Sequence, residues 1–278
     1  MKDAGVPSLA LARIDDEGYD AFGRDPKLIA RAQPLLEMLL DRVFQARVEG
    51  TENLPDTGRA ILVANHGGAL PWDVLMLQAA LRRPSAGGRE VRPLIEDQIM
   101  TAPFVGTLMN RLGCVRASQE NAVRLLARDE IVAVFPEGLL GLGKRYRRRY
   151  KLQRFGRGGF VRLAIRTRTP IVPVAILGAE DSAPLLFRLE LPGRGLGLPY
   201  LPVTPLFPLL GPLGLVPLPA RWSIRVGKPI DVASLVDDAD DAIAVGEMTG
   251  RIREELQAEL RYLNEERVQV YPWSRPRG

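Results

Sequence analysis

His66 is the only histidine in this chain of 278 residues, and its neighbours are of the kinds that could put it to chemical use. The stretch ILVANHGGALPWD, residues 61–73, leads from an apolar segment through Asn65 and His66 into Gly67 and Gly68, then to Pro71-Trp72-Asp73. The end of an apolar strand is where an α/β sheet places its ligands. Two glycines there let backbone or substrate come close. Pro71 suits the first turn of a helix, which sets Asp73 in that turn and able to fold back toward the imidazole. A carboxylate on one ring nitrogen fixes the tautomer and leaves the other nitrogen to take a proton, as a general base does. Both residues also have plain structural readings. A strand-end histidine can simply bond backbone, and an aspartate is favoured at a helix N-terminus.

Two further stretches end apolar strands with polar groups. Val134-Phe135-Pro136-Glu137-Gly138 puts Glu137 at the matching sheet edge, to hydrogen-bond an acceptor hydroxyl or to cap a loop. Gly113-Cys114-Val115-Arg116-Ala117-Ser118 ends a short strand in Arg116, with Ser118 placed to cap the next helix. Arg116 can hold a phosphate bidentately or make a surface ion pair. One histidine and one cysteine, Cys114, exclude a metal site built on those ligands and a disulfide framework. The chain has no Gly-x-Ser-x-Gly elbow, phosphate-binding loop or dinucleotide fingerprint. A base, an orienting carboxylate, a second carboxylate and arginines suit direct acyl transfer, in which His66 deprotonates an acceptor hydroxyl.

These residues need a scaffold to bring them together, and the hydrophobic patterning describes one. Val- and Ile-rich strands are expected at 46–49, 60–64, 91–96, 114–115, 131–135, 171–177 and 223–226. Helical patterns fall at 72–81, 119–127, 159–166 and 242–266. Alternation of this kind predicts an α/β fold, a central, largely parallel or mixed sheet flanked by helices. The expected organisation is an N-terminal leader and amphipathic helical segment (1–44), one core domain (45–232) and a C-terminal helix and tail (233–278). Within 26–44, Pro34 is expected to kink the helix or start a second one. That segment packs on the core or lies against lipid.

Asn65-His66…Asp73, Gly113-Cys114-Val115-Arg116, Phe135-Pro136-Glu137-Gly138 and Ile171-Val172-Pro173-Val174 stand in this order along the chain. Together they resemble the four blocks of the glycerolipid acyltransferase family that includes 1-acyl-glycerol-3-phosphate acyltransferases. The resemblance implies a His66–Asp73 catalytic dyad, with Arg116, Glu137 and Gly138 binding a phosphorylated acceptor. It also implies acyl-CoA or acyl-carrier protein as co-substrate, no bound cofactor, a lysophospholipid acceptor and attachment to the cytoplasmic membrane face. Two departures stand out. Six residues separate His66 from Asp73 where the family has four, so the extra ones must bulge outward for the dyad to form. Leu139-Leu140 follows Gly138 where the family has Thr-Arg, so Lys144 or Arg145 would have to supply the phosphate charge from another loop. A neutral or glycolipid acceptor is the alternative within this chemistry, and a non-catalytic lipid-binding protein of the same fold is the alternative outside it.

The net charge is +5, and residues 143–151, GKRYRRRYK, concentrate it. Such a run suits an acceptor phosphate, the phosphates of CoA, an acidic carrier protein or anionic headgroups. A nucleic-acid surface would leave the four blocks without a role. Residues 195–222 are apolar but full of proline and glycine, and are expected to form either an irregular lip or tunnel wall for acyl chains, with Tyr200 and Trp222 of the types favoured at a lipid–water interface, or an irregular excursion packed on the core. No charge-free apolar run reaches the roughly 18 residues of a spanning helix. The first twenty residues lack the pattern of a signal peptide. A peripheral membrane protein is the expectation.

Overall fold

The computed structural model describes residues 18–190 and 200–276. The first 17 residues of the expected leader and residues 195–199 of the apolar excursion lie outside the described residues.

Seven strands form the central sheet: β1 (Arg47–Glu49), β2 (Ala60–Ala64), β3 (Val91–Ile95), β4 (Val115–Arg116), β5 (Ile131–Val134), β6 (Ile171–Leu177) and β9 (Ser223–Val226), in the order β1-β9-β6-β2-β5-β3-β4. Pairing is parallel throughout except between β6 and β9, so the sheet is mixed. Strands buried on both faces need apolar residues at every position, and all five residues of β2 and all seven of β6 are buried. Alternate side chains feed two cores. Ile61 and Val63 face one cluster, whereas Ala60, Leu62 and Ala64 face the other.

The first cluster is closed by α5 (Gln119–Leu126), α7 (Gly159–Thr167) and the C-terminal helix, Ala242–Glu266. That helix buries Val245, Met248, Ile252, Leu256, Leu260 and Leu263, a single stripe at helical spacing. Asp241 caps it through bonds from the Ile243 and Ala244 amides. The second cluster is closed by α1 (Pro26–Met38) and α2 (Trp72–Leu81). Pro34 starts no second helix: α1 continues through it and passes into a π-turn only at Leu39–Val43. Pro34 has no amide to offer the Ala30 carbonyl, but both residues are exposed, so solvent can satisfy it. α1 packs on the core: Leu36 is buried, and Gln33 bonds the Ala79 carbonyl of α2.

The excursion is more regular than its composition predicts. Leu201–Val203 forms a strand, β8, paired antiparallel with β7 (Phe187–Leu189) in a small second sheet. Tyr200 and Trp222 are buried, correcting their expected place at a lipid interface. Trp222 stacks on Phe44 at 4.8 Å and donates its indole N–H to Ser182 Oγ at 2.7 Å. The apolar groups presented to solvent are instead Leu209, Leu213 and Val216, with Phe187 on β7. Among the described residues, no helix is long and apolar enough to cross a membrane.

Part of the basic run is structural. Fully buried Asp181, in the short helix α8 (Ala179–Ser182), accepts bonds from Tyr146 Oη at 3.0 Å, Tyr150 Oη at 2.7 Å and Arg267 Nη1 at 2.7 Å. This ties the run and the chain beyond the C-terminal helix to the sheet. Asp181→Ala strands a buried guanidinium, so it is expected to cost about 3–5 kcal/mol of stability, read by urea denaturation.

Candidate active site

His66 leaves the sheet because Asn65 ends it. The Asn65 amide bonds both the carbonyl (2.8 Å) and the N–H (2.7 Å) of Ile176, occupying the β6 edge where another strand residue would pair. The next residue then turns off the sheet above the carboxyl ends of the parallel strands. His66 Nδ1 lies 2.6 Å from Asp73 Oδ2, in the first turn of α2. The same carboxylate accepts the Gly67 N–H at 2.9 Å and, through Oδ1, the Val74 N–H at 2.9 Å. Asp73 is fully buried, so its orientation is set by three donors at once.

The longer spacing is accommodated by inward folding, not by the outward bulge expected. Gly67, Gly68 and Ala69 are buried against the segment after β6. A Cβ on Gly67 would come within 2.6 Å of Glu180 Cγ, and Gly68 adopts φ +92° with the Ala179 carbonyl beneath it. Ala69 N–H closes the loop on the Ala183 carbonyl at 2.7 Å.

Glu137 holds His66 from the other side. Its Oε1 accepts the His66 amide at 3.0 Å, and its Oε2 accepts the Gln153 amide. Lys144 Nζ lies 3.7 Å from Glu137 and 2.7 Å from Glu180 Oε1. Both oxygens of Glu137 are thus engaged within the protein. Its place here is to position the His66 backbone, whereas the resemblance implied an acceptor contact. Burial opposes a charge on Lys144, but the flanking carboxylates outweigh it and raise its pKa. Lys144 is a buried counter-ion and not a loose phosphate ligand.

The other expected acceptor cations do not line the pocket beside His66. Arg116 is two-thirds exposed and bidentate to Asp97, with one bond at 2.6 Å. Arg145 is exposed, its guanidinium 5.8 Å from the Phe187 ring centroid. Gly138 does reach the site. At φ +52° and ψ −142° its backbone lines the pocket, and a Cβ there would fall 2.1 Å from Glu96 Oε1.

The pocket beside His66 is walled by apolar side chains including Val74, Ile99, Phe135, Leu139 and Leu142. The His66 ring leans on Phe135 with centroids 4.9 Å apart. Since Nδ1 is bound to Asp73, Nε2 is the nitrogen left for a substrate. Burial works against the imidazolium, yet the charge and hydrogen bond of Asp73, with Glu137 and Glu96 behind, prevail and raise the His66 pKa above the ordinary imidazole value. A second, more open cleft adjoins this pocket at Leu94, Glu96 and Phe135, and is floored by the starts of α5 and α7. Among the described residues there is no cluster able to hold a metal ion. The Cys114 thiol is buried and its pKa pushed up to about 12, so it is no nucleophile.

Glu96 and Glu180 were not singled out by sequence reasoning. The signal for Glu96 was present, because VRPLIE ends an apolar strand in a carboxylate just as VFPEG does.

Comparison with known proteins fits this geometry. A family model described as Acyltransferase matches residues 45–177, spanning His66, Asp73 and Glu137. The chain belongs to the acyltransferase family. An uncharacterized protein of Mycobacterium tuberculosis is 46% identical over 260 residues, covering 92% of this chain and 73% of that protein. A Mycobacterium leprae relative is 45% identical over the same length, with 71% of its own length covered. A Bos taurus protein described as a DGAT1/2-independent enzyme synthesizing storage lipids is 25% identical over 127 residues, 46% of this chain and 37% of that protein. The fold is that of the 1-acyl-sn-glycerophosphate acyltransferase PlsC of Thermotoga maritima, with a TM-score of 0.53 and 19% identity over 90% of this chain and 84% of that one.

Proposed function

We propose that this acyltransferase moves a fatty acyl group from a thioester, acyl-CoA or acyl-carrier protein, to a lysolipid hydroxyl, with His66 as general base. The observation carrying this reading is the 2.6 Å bond from Asp73 to His66 Nδ1, which leaves Nε2 at an apolar pocket. In the reaction, Nε2 takes the proton of the acceptor hydroxyl as its oxygen attacks the thioester carbonyl carbon. The new C–O bond forms, the tetrahedral intermediate collapses with cleavage of C–S, and the imidazolium returns the proton to the departing thiolate. Asp73 stays ionised and stabilises the imidazolium between the two steps.

Two headgroup classes divide this reading. A phosphorylated acceptor such as 1-acyl-glycerol-3-phosphate is the one the motif resemblance implies. A neutral or glycolipid acceptor is favoured by the positions of Arg116, Lys144 and Arg145, which contribute nothing to the pocket lining. The Bos taurus relative, named for storage lipids, accords with the second class.

Peripheral attachment to the cytoplasmic face of an anionic membrane is part of the proposal. Its support is the exposed Leu209, Leu213 and Phe187, with Arg145, Arg147 and Arg148 exposed as well. Purified protein is expected to release free thiol from acyl-CoA or the carrier-protein donor when given a lysolipid, and to sediment with anionic liposomes. Sedimentation without thiol release, across both donors and both acceptor classes, would mark a lipid-binding protein instead.

A further inference from the structure

Glu96 occupies the junction of the two cavities. It ends β3 at the N-cap position of α3 (Asp97–Met100), yet its side chain does not cap that helix. Instead it turns to the site, where Oε1 accepts a long 3.3 Å bond from the Leu139 amide and abuts Gly138. Its other oxygen has no partner among the described residues. Among the described residues, Glu96 is the only ionisable one besides His66 lining the apolar pocket, and the only one lining the adjoining cleft. Neither cavity is lined by a lysine or arginine among the described residues.

A site with that lining does not suit a phosphate. A phosphomonoester brought to His66 would meet a carboxylate with no cation to offset it, in surroundings where charges are weakly screened. A hydroxyl suits it well, because an ionised carboxylate oxygen is a strong acceptor for an O–H donor. Glycine at 138 is what allows Glu96 this position, since any side chain there would collide with Oε1.

We propose that Glu96 determines acceptor specificity, selecting an uncharged headgroup with a second free hydroxyl, of the monoacylglycerol or glycosyl-lipid class, over a phosphorylated one. One hydroxyl donates to His66 Nε2 and reacts, while the neighbouring hydroxyl donates to the free oxygen of Glu96. This assignment rests on the reading of His66 as the base of acyl transfer. Glu96 also adds to the negative field at His66, so its loss reaches the base as well as the acceptor.

The test compares wild type, Glu96→Gln and Glu96→Lys on monoacylglycerol and lysophosphatidate with one acyl-CoA, measuring kcat/KM and equilibrium binding of each lipid. Wild type is expected to prefer monoacylglycerol. Glu96→Gln is expected to shrink that preference by about tenfold, chiefly through KM, and to move the acid limb of the pH profile to lower pH. Glu96→Lys is expected to reverse the preference. A wild-type preference for lysophosphatidate, or a preference unchanged in both variants, overturns the assignment while leaving acyl transfer standing. Selective binding of monoacylglycerol that Glu96→Gln abolishes, with no thiol released, upholds the acceptor assignment and overturns the acyl-transfer reading.

Discussion

His66→Ala is expected to abolish acyl transfer and to leave the protein folded. The chain has no second histidine, and Cys114 is buried and protonated, so no second imidazole or thiolate can replace His66 as the base. General-base removal alone costs about 10²–10⁴ in rate, and loss of the histidine from a coupled catalytic set costs more. A fall of at least about 10⁴ in kcat is expected from the thiol-release assay. The fold survives because Asp73 keeps the Gly67 and Val74 amides as donors and Glu137 keeps the His66 backbone amide. The His66 pKa is raised in the folded state, so its pairing with Asp73 stabilises fully below the unfolded value of about 6.5 and fades as pH rises through the folded value. The melting-temperature gap between wild type and His66→Ala is therefore expected to be wider at pH 6 than at pH 9. Turnover near wild type in the alanine variant would end the general-base assignment.

Asp73→Asn is the second large effect, and it separates a dyad from a mere helix-terminal aspartate. The asparagine keeps the shape, but its amide can donate to Nδ1 and so leave the proton on Nε2, where a base cannot carry it. The equivalent change in a Ser-His-Asp triad costs about 10⁴ in kcat, and a loss of about 10³–10⁴ is expected here. A second signature accompanies it. In wild type the neutral imidazole is the active form and its pKa is raised, so kcat/KM is expected to climb with pH through a limb above about 6.5. Burial is the largest influence on that pKa and lowers it, while Asp73 is the leading one raising it. Removing the carboxylate charge should therefore shift the limb to lower pH even as the rate collapses. An Asp73→Asn variant with an unchanged rate and an unchanged limb would reduce Asp73 to a structural role.

The spacing between His66 and Asp73 was the point at which sequence reasoning was most exposed. Motif order pairs the two residues and the structure sets them 2.6 Å apart, but the path of the six residues between them depends on what lies beneath. Gly67 and Gly68 fold inward because Glu180 and Ala179, more than a hundred residues later, fill the space a side chain would need. Short-range pattern carries no record of such a neighbour. Lys144 shows the same limit. In sequence it is one cation in a basic run, whereas in the fold it sits between Glu137 and Glu180, buried with both. Trp222 and Tyr200 read as interfacial by residue type, and became core through packing on Phe44 and on the segment after β6.

By itself the sequence determined the elements and the chemistry available to them. The strands Ala60–Ala64 and Ile171–Leu177 and the helices Trp72–Leu81 and Ala242–Glu266 form where their hydrophobic periods place them. Those signals are local, because backbone hydrogen bonding and alternation of buried faces repeat every two or every 3.6 residues. A single histidine at a strand end likewise singled out the proposed base. The tertiary structure alone decided which charges reach that base. Arg116 turns away to Asp97, Lys144 to Glu180 and Arg145 to Phe187, while Glu96 turns in. Charges act through distance and burial, and both are set by residues far apart in the chain that folding brings within a few ångströms of His66.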